Sequence, residues 1–337
     1  MKERIQESRQ FPITYADLLR FQRSYDSLLL DDPPGSFLVI DIETEGLSRQ
    51  GHPVFLLGCL EISANRPPLL HQWIWDRAED AEEEAILSCW QHFLAAHPSS
   101  CLVSFNGSSF DLPFLAARGQ RYHFGFPPLS HLDLYPLVRR YRPFFSKESM
   151  KLQLLEKKSG FQREDRLTGK DMIPLAKNPT EENQALALLH NRDDLFATAW
   201  LVPYLTDAFS IFLFSLPLPE KQGSLCLEKL QKQGDFLQIT LQSSRDLPSL
   251  FLRSSFADLA GEEGYWTLRL PVHRARLHDH ALLIAVSPGY DHDQSPYELR
   301  SPFLVLEDEG HFLKENILPL LQSLLLHLLS SIPKKGQ

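Results

Sequence analysis

A short apolar segment that ends in two acids constrains the fold more than any other feature of this sequence. Phe37-Leu-Val-Ile-Asp41 has the pattern of a buried strand, and Glu43 follows two residues later. Residues i and i+2 of a strand point to the same face, so the carboxylates of Asp41 and Glu43 are expected to converge. Like charges at this position repel each other, and the usual remedy is a divalent cation such as Mg²⁺ or Mn²⁺. The pattern alone also fits a strand that runs into a solvated turn.

The segments that follow predict an α/β arrangement. Further strands are expected at 54–62, 69–75, 101–105 and 132–135. Helices are expected at 78–97, at 111–118 and from Glu181 to about Leu201, where Pro203 should close the last helix. This order of elements predicts a sheet sandwiched by helices.

The pattern changes after a Pro-rich stretch at 215–223, which is the expected linker. Tyr265–Val272 alternates strictly between apolar and polar residues, as a half-buried strand does, and three other segments are similar: 236–241, 281–286 and 303–306. A leucine-rich helix is expected from about Lys314. We therefore predict an N-terminal helical lead-in at 1–34, a catalytic domain at 35–207, a linker at 208–223 and a smaller C-terminal α+β domain of unknown role at 224–333.

Bulk composition excludes several classes of protein. With 43 % hydrophobic and 23 % charged residues, the chain is globular rather than disordered. Its four cysteines form no CxxC pair, which argues against a structural zinc site and fits a reducing compartment. The first residues lack an apolar signal core, and the apolar run 317–332 is broken by polar residues and a proline. We expect a cytoplasmic protein that does not enter a membrane.

A basic window lies within an acidic chain. The formal net charge is −9, yet Leu137–Lys170 contains ten Lys and Arg against four acids. Phosphate binding depends on the local field more than on total charge, so this window is compatible with a nucleic-acid partner. The candidate phosphate contacts are Arg139, Arg140, Lys151 and Lys157. The alternative is a solvated helical face.

A third acid follows a Gly/Ser-rich loop. In Phe105-Asn106-Gly-Ser-Ser-Phe110-Asp111 a strand ends, the loop turns, and Asp111 enters the first turn of a helix, where an anion is favoured. Plain helix capping would explain this residue equally well. In an α/β sheet, however, such a loop can meet the end of the first strand at the carboxyl edge, where sites commonly form.

The long helix contributes the fourth acid. At 100° per residue Leu186, His190, Asp194, Ala197 and Leu201 lie on one stripe, which is otherwise apolar. His190 and Asp194 are therefore expected to face the sheet. A lone histidine there would be a core residue, but beside an inward Asp and opposite three other carboxylates a catalytic role is favoured. Asp193, on the other edge of the stripe, is the second choice for the ligand.

Together these motifs resemble the DEDD superfamily of 3′–5′ exonucleases, and within it the YprB-type ribonuclease H-like proteins. The resemblance covers about residues 36–204. The segments that carry it are FLVIDIETEGL, SFNGSSFDLPFL, HLDLYPLVRRY, SMKLQLLEKKSGFQRED with GKDMIPL after it, and HNRDDLFATAWL. It implies a ribonuclease H-like mixed sheet flanked by helices. It also implies the metal ligands Asp41, Glu43, Asp111 and Asp194, with His190 as general base, and substrate contacts from Thr44, Asn106 and Phe110.

One spacing departs from the histidine subgroup of this superfamily. That subgroup usually places its histidine five residues before the last Asp, whereas His190 precedes Asp194 by four. Four is the spacing of the tyrosine subgroup, so His190 takes the helical position of that tyrosine. The ligand set is unaffected by this departure.

The resemblance implies hydrolysis of phosphodiester bonds at a DNA or RNA 3′ end with two Mg²⁺ or Mn²⁺ ions. One rival is a nucleic-acid-binding module of the same fold without activity, against which the presence of all four acids argues. The other is a structure-specific endonuclease of ribonuclease H or resolvase type. Those folds do not normally pair two acids as D-x-E on the first strand. Protein partners cannot be read from the sequence.

Overall fold

The computed structural model describes residues 1–25, 33–77, 79–144, 150–217, 222–243, 249–262, 264–277, 279–287, 293–297, 299–300 and 302–330. The chain forms two compact units. The first comprises Met1–Arg139 with Ser149–Thr206, and the second comprises Arg140–Glu148 with Asp207–Gln337. The basic window at 137–170 is thus divided between the two units.

A mixed six-stranded sheet forms the centre of the first unit, as the sequence predicted. Its strands are β1 (Lys2–Glu7), β2 (Ser36–Thr44), β3 (Val54–Ser63), β4 (Leu69–Ile74), β5 (Cys101–Ser104) and β6 (Ser130–Asp133). Their order is β1-β4-β3-β2-β5-β6. Strand β5 runs parallel to β2 and β6, and the other pairs are antiparallel. Strands β2 and β3 are buried along almost their whole length, which explains their continuous apolar sequence.

Helices surround this sheet. They are α1 (Tyr15–Tyr25), α2 (Asp80–Ala96), α3 (Asp111–Arg121), α4 (Leu134–Tyr141), α5 (Leu152–Ser159), α6 (Gly169–Lys177) and α7 (Glu181–Ser210). The core between helices and sheet includes Leu38, Ile40, Trp73, Trp90 and Phe114. Burial of these side chains fixes how the helices that carry polar site residues lie against β2 and β3.

Three local features of the first unit differ from the sequence prediction. The lead-in begins with a strand, because backbone pairing with β4 holds the exposed and polar segment Lys2–Glu7 at the sheet edge. Helix α7 continues through Pro203 to Ser210, beyond the end of the first unit at Thr206, and Leu205 and Phe209 in its last turns are buried. Leu186 does not face the sheet and is 37 % exposed, whereas the neighbouring Ala187 is buried.

The second unit contains two antiparallel sheets and a helix. One sheet has the order β10-β11-β12-β9-β8-β7 and the other β13-β14-β15-β16. The strands of the first sheet are β7 (Leu213–Pro217), β8 (Gln222–Gln233), β9 (Phe236–Ser243), β10 (Leu250–Arg253), β11 (Asp258–Glu262) and β12 (Tyr265–Pro271). The second sheet comprises β13 (His273–Leu277), β14 (His280–Val286), β15 (Phe303–Asp308) and β16 (His311–Phe312), followed by α8 (Lys314–Ser330).

The predicted strands of this unit are present, but the predicted linker is partly structured. Strand β7 lies inside the stretch 208–223 and pairs with β8. It is an edge strand, so Pro217 at its end does not interrupt an internal ladder. Residues 218–221 of the predicted linker lie outside the described residues.

The leucine-rich helix α8 buries one stripe, with Ile317, Leu321, Leu324 and Leu328 among its buried residues. This spacing is the amphipathic pattern expected from the sequence. Among the helices described, none combines the length and the apolar character that crossing a membrane requires.

Candidate active site

Four carboxylates converge where β2, α3 and α7 meet. Asp41 and Glu43 lie on β2, Asp111 opens α3, and Asp194 lies on α7. The backbone N–H of Ile42, between the two β2 acids, donates to Asp111 Oδ1 at 3.1 Å. His190 Nε2 lies 3.8 Å from Glu43 Oε1 and 3.6 Å from Asp194 Oδ2. The structure therefore brings together the residues of all three sequence motifs.

A glycine allows α7 to approach the sheet at this point. Gly58 on β3 pairs with Asp41 in register. A Cβ at position 58 would lie 2.0 Å from Asn191 Oδ1, so any side chain there would clash with Asn191 and force it to move. The Asn191 amide is fully buried and donates to Asp41 Oδ2 at 2.9 Å, while its oxygen accepts from Gln72 Nε2 at 2.9 Å. Asn191 thus orients Asp41 from the helix side.

Burial raises the pKa of each of the four carboxyl groups. The pKa values of Asp41 and Glu43 lie well above their ordinary range, because the charges of neighbouring carboxylates add to the effect of burial. For Asp111 the pKa rises to about 7, chiefly through burial. The pKa of Asp194 is also raised by burial, although His190 and Arg163 oppose the shift. The cluster is therefore one in which negative charge is costly without a cation.

A loop between α5 and α6 adds groups that were not predicted to belong to the site. His190 Nδ1 lies 2.9 Å from Asp165 Oδ2. Arg163 donates from Nη1 to Asp165 Oδ2 at 2.8 Å and from Nη2 to Asp194 Oδ1 at 2.5 Å. It also pairs with both carboxylate oxygens of the buried Glu156. In the sequence, Arg163 stands out only as one of the cations of the basic window.

Asp193, the second choice for the metal ligand, instead forms hydrogen bonds with this loop. Its Oδ2 accepts from the backbone N–H groups of Glu164 at 2.7 Å and Asp165 at 2.9 Å. Its Oδ1 accepts from the Arg192 guanidinium. Asp193 therefore tethers the loop to α7, while Asp194 faces the other carboxylates.

The residues suggested as substrate contacts have local structural partners. The Thr44 hydroxyl donates to the carbonyl oxygen of Gly46. Asn106 adopts a φ of 73°, and its N–H donates to Asp133 Oδ1, so this pair shapes the turn before α3. The Phe110 ring packs against Phe114 with centroids 5.4 Å apart. Asn106 and Phe110 thus support the turn and the helix that position Asp111, and Thr44 supports the turn that follows β2.

The four suggested phosphate contacts have different surroundings. Arg139 on α4, Lys151 before α5 and Lys157 within α5 are exposed. Arg140 belongs to the second unit, where its guanidinium lies 3.0 Å from Glu228 Oε1. Arg140 is therefore engaged in an ion pair. Of the four suggested phosphate contacts, the other three are the exposed ones.

The donor set fits a hard divalent cation. Ligand atoms of Glu43, His190 and Asp194 all lie within 4.8 Å of one another, with Asp41 and Asp111 contributing further carboxylates at the same end of β2. Carboxylate oxygens are the ligands that Mg²⁺ and Mn²⁺ prefer. The raised pKa values provide a physical reason for a cation to bind, because its charge would relieve the repulsion among these groups.

The raised pKa of Asp111 predicts a pH-dependent stability in chelator. An unfolded Asp titrates at about 3.9, whereas folded Asp111 titrates at about 7. The contribution of Asp111 to the free energy of unfolding is therefore at its full value below the pKa of the unfolded state. It is lost as the pH rises through the pKa of the folded state. We expect Asp111→Asn to be more stable than the wild type at pH 8 in chelator, with a difference that shrinks toward pH 4.

Urea denaturation at several pH values measures this effect. Glu182→Gln, which changes an exposed acid at the start of α7, serves as the control and should not alter the pH dependence. An Asp111→Asn protein less stable than the wild type at pH 8 in chelator would contradict the proposed repulsion.

The family match lies mainly within the first unit. The family profile described as RNase_H superfamily matches residues 38–206, half of the chain. No curated protein shows a significant match. Among solved structures, the family B DNA polymerase of Pyrobaculum calidifontis is 17 % identical with a TM-score of 0.43, covering 53 % of this chain and 26 % of that one. Zinc-bound Escherichia coli ExoI in complex with single-stranded DNA is 12 % identical with a TM-score of 0.38, covering 61 % and 54 %.

Proposed function

This chain belongs to the RNase H superfamily, and from that premise we propose that it is a metal-dependent 3′–5′ exonuclease of the DEDD type, similar to the YprB-type proteins. The observation that carries this proposal is the convergence of Asp41, Glu43, Asp111 and Asp194 with His190 at one end of β2. The D-x-E pair on β2 and the long helix α7 that supplies the last Asp favour an exonuclease.

The four carboxylates would hold the cations, and two Mg²⁺ or Mn²⁺ ions are proposed. Divalent cations in such a site activate water and stabilise the charge that develops on the phosphate and the leaving oxygen. The protein supplies the orientation of the ligands. Asn191 fixes Asp41, and the N–H of Ile42 fixes Asp111.

His190 is proposed as the group that accepts a proton from the attacking water. The ring is 2 % exposed, and its Nε2 faces Glu43 and Asp194 while Nδ1 faces Asp165. Histidine is the side chain best suited to proton transfer near neutral pH. The imidazole would receive the proton at Nε2, the nitrogen on the side of the ligands.

Arg139, Lys151 and Lys157 are proposed to bind phosphates of the substrate. We expect the triple alanine variant to bind single strands of every sequence more weakly. The slope of log K against log salt should fall by about 0.7 for each phosphate-binding cation that is removed. Binding titrations at several salt concentrations measure both quantities. All variants are made in a protein that lacks one proposed metal ligand and is therefore inactive, so that the strand stays intact.

A matched variant controls for the change in net charge. Arg4, Arg77 and Lys177 are also exposed cations of the first unit but lie outside the basic window, and their triple alanine variant should bind like the wild type. Equal affinity and slope in both triple variants would contradict the proposed phosphate binding. Arg140→Ala tests separately whether Arg140, which is paired with Glu228, also contributes to strand binding.

A panel of 5′-labelled oligonucleotides tests the proposed function. It includes DNA and RNA, single strands and duplexes, and a circular strand, each incubated with Mg²⁺, Mn²⁺ or chelator. We expect ladders that shorten from the 3′ end, require a divalent cation and are absent for the circle. Cleavage of the circle would indicate an endonuclease, and binding without cleavage under every condition would indicate an inactive module.

A further inference from the structure

The buried contact between Asp165 and His190 carries one inference beyond the ligand set. Asp165 Oδ2 lies 2.9 Å from His190 Nδ1, and both side chains are almost wholly buried. We propose that Asp165 is a positioning residue that fixes the ring orientation and the tautomer of His190. This inference rests on the proposed function, in which His190 accepts a proton.

Asp165 is itself held from several directions. Its Oδ1 accepts from the N–H of Leu167 at 2.5 Å, and its Oδ2 also accepts from Arg163 Nη1 at 2.8 Å. Its backbone N–H donates to Asp193 Oδ2, one residue before the ligand Asp194. The carboxylate therefore has a fixed place relative to α7, and its position determines that of the imidazole.

The position of the Asp165 carboxylate determines which nitrogen of the His190 ring carries the proton. A neutral imidazole carries one N–H, and an ionised carboxylate can only accept hydrogen bonds. The contact with Asp165 therefore places the proton on Nδ1 and leaves the lone pair of Nε2 directed toward Glu43 and Asp194. The opposite tautomer would present an N–H to the ligands and could not receive a proton there.

Arg163 completes the arrangement. Its guanidinium joins Glu156, Asp165 and Asp194, so one cation neutralises part of the charge of three acids. Although burial acts in the opposite direction, the hydrogen bonds from Arg163 and Leu167 keep the pKa of Asp165 below its ordinary value. Asp165 is thereby retained as an acceptor for the N–H of His190.

Kinetics of Asp165→Asn in the full chain test the inference. The asparagine amide can present an N–H to Nδ1 and so favour the wrong tautomer. We expect kcat to fall by about 10-fold to 100-fold with KM nearly unchanged, as for a small misplacement of a reacting group. Glu164→Gln, which neutralises the exposed neighbour of Asp165, serves as the control and should retain the wild-type kcat.

A double-mutant cycle separates positioning from a structural role. If Asp165 acts through His190, Asp165→Asn should have almost no effect on kcat when His190 is already alanine. Equal fold-losses in the two backgrounds would overturn the proposal. Thermal unfolding of each variant shows whether the fold is retained.

Nitrogen NMR of histidine-labelled protein gives a readout that does not depend on activity. The His190 signals are assigned by their loss in His190→Ala. We expect the Nδ1–H tautomer in the metal-free wild type and a shift toward Nε2–H in Asp165→Asn. An Nε2–H tautomer in the wild type would overturn the proposal even if the variant fails to fold. A protein without nuclease activity but with the expected tautomer would contradict the proposed function alone.

Discussion

Replacing Asp41, Glu43, Asp111 or Asp194 by alanine is expected to abolish turnover, with a loss of about 10³-fold or more for each variant. The four carboxylates lie in one cluster, so removing one would deprive the proposed cations of a ligand at the reacting centre. Removing one also relieves repulsion among the others. Stability in chelator should therefore hold or rise while activity disappears.

Turnover on labelled strands, Mn²⁺ binding and circular dichroism together measure this prediction. Glu182→Ala provides a control, because it removes an exposed acid from the same helix that supplies Asp194. Its turnover and metal affinity should match the wild type. A folded Asp41→Ala protein that retains wild-type turnover would refute the assignment of the site.

His190→Ala is expected to lower turnover by about 10²-fold to 10⁴-fold, the usual contribution of a positioned general base. Metal affinity should change little, because four carboxylates remain. Single-turnover kinetics at saturating metal measure the chemical step directly. A loss below about fivefold, where chemistry limits the rate, would show that no protein base is needed here.

The convergence of the four acids could be predicted from the sequence because each acid has a local signature. Their role as metal ligands is implied by the resemblance and stays a prediction. Asp41 and Glu43 share a strand face, Asp111 begins a helix after a loop, and Asp194 lies on a helical stripe with His190. Strand and helix periodicities fix these directions without reference to the rest of the chain. The order of elements predicted a sheet flanked by helices, and the resemblance implied its mixed arrangement; both are confirmed.

The groups that orient the ligands could not be predicted in this way. Asp165 and Arg163 lie in a loop, where no periodicity indicates which side chains turn inward. Asn191 orients Asp41 only because Gly58, far away in sequence, permits a close approach of helix and strand. The strand at Lys2–Glu7 and the passage of α7 through Pro203 likewise depend on tertiary packing that overrides local preference.

The packing of α7 has a thermodynamic consequence for the whole site. Within little more than one helical turn, His190 faces the carboxylate cluster, Asn191 orients Asp41, Asp193 anchors the loop and Asp194 joins the cluster. A helix that is not fully docked gives up all of these interactions together, so site assembly and helix docking form a single cooperative equilibrium. If the proposed cations bind only the docked form, they would draw this equilibrium toward it, and their binding free energy would add to the folding free energy of the first unit.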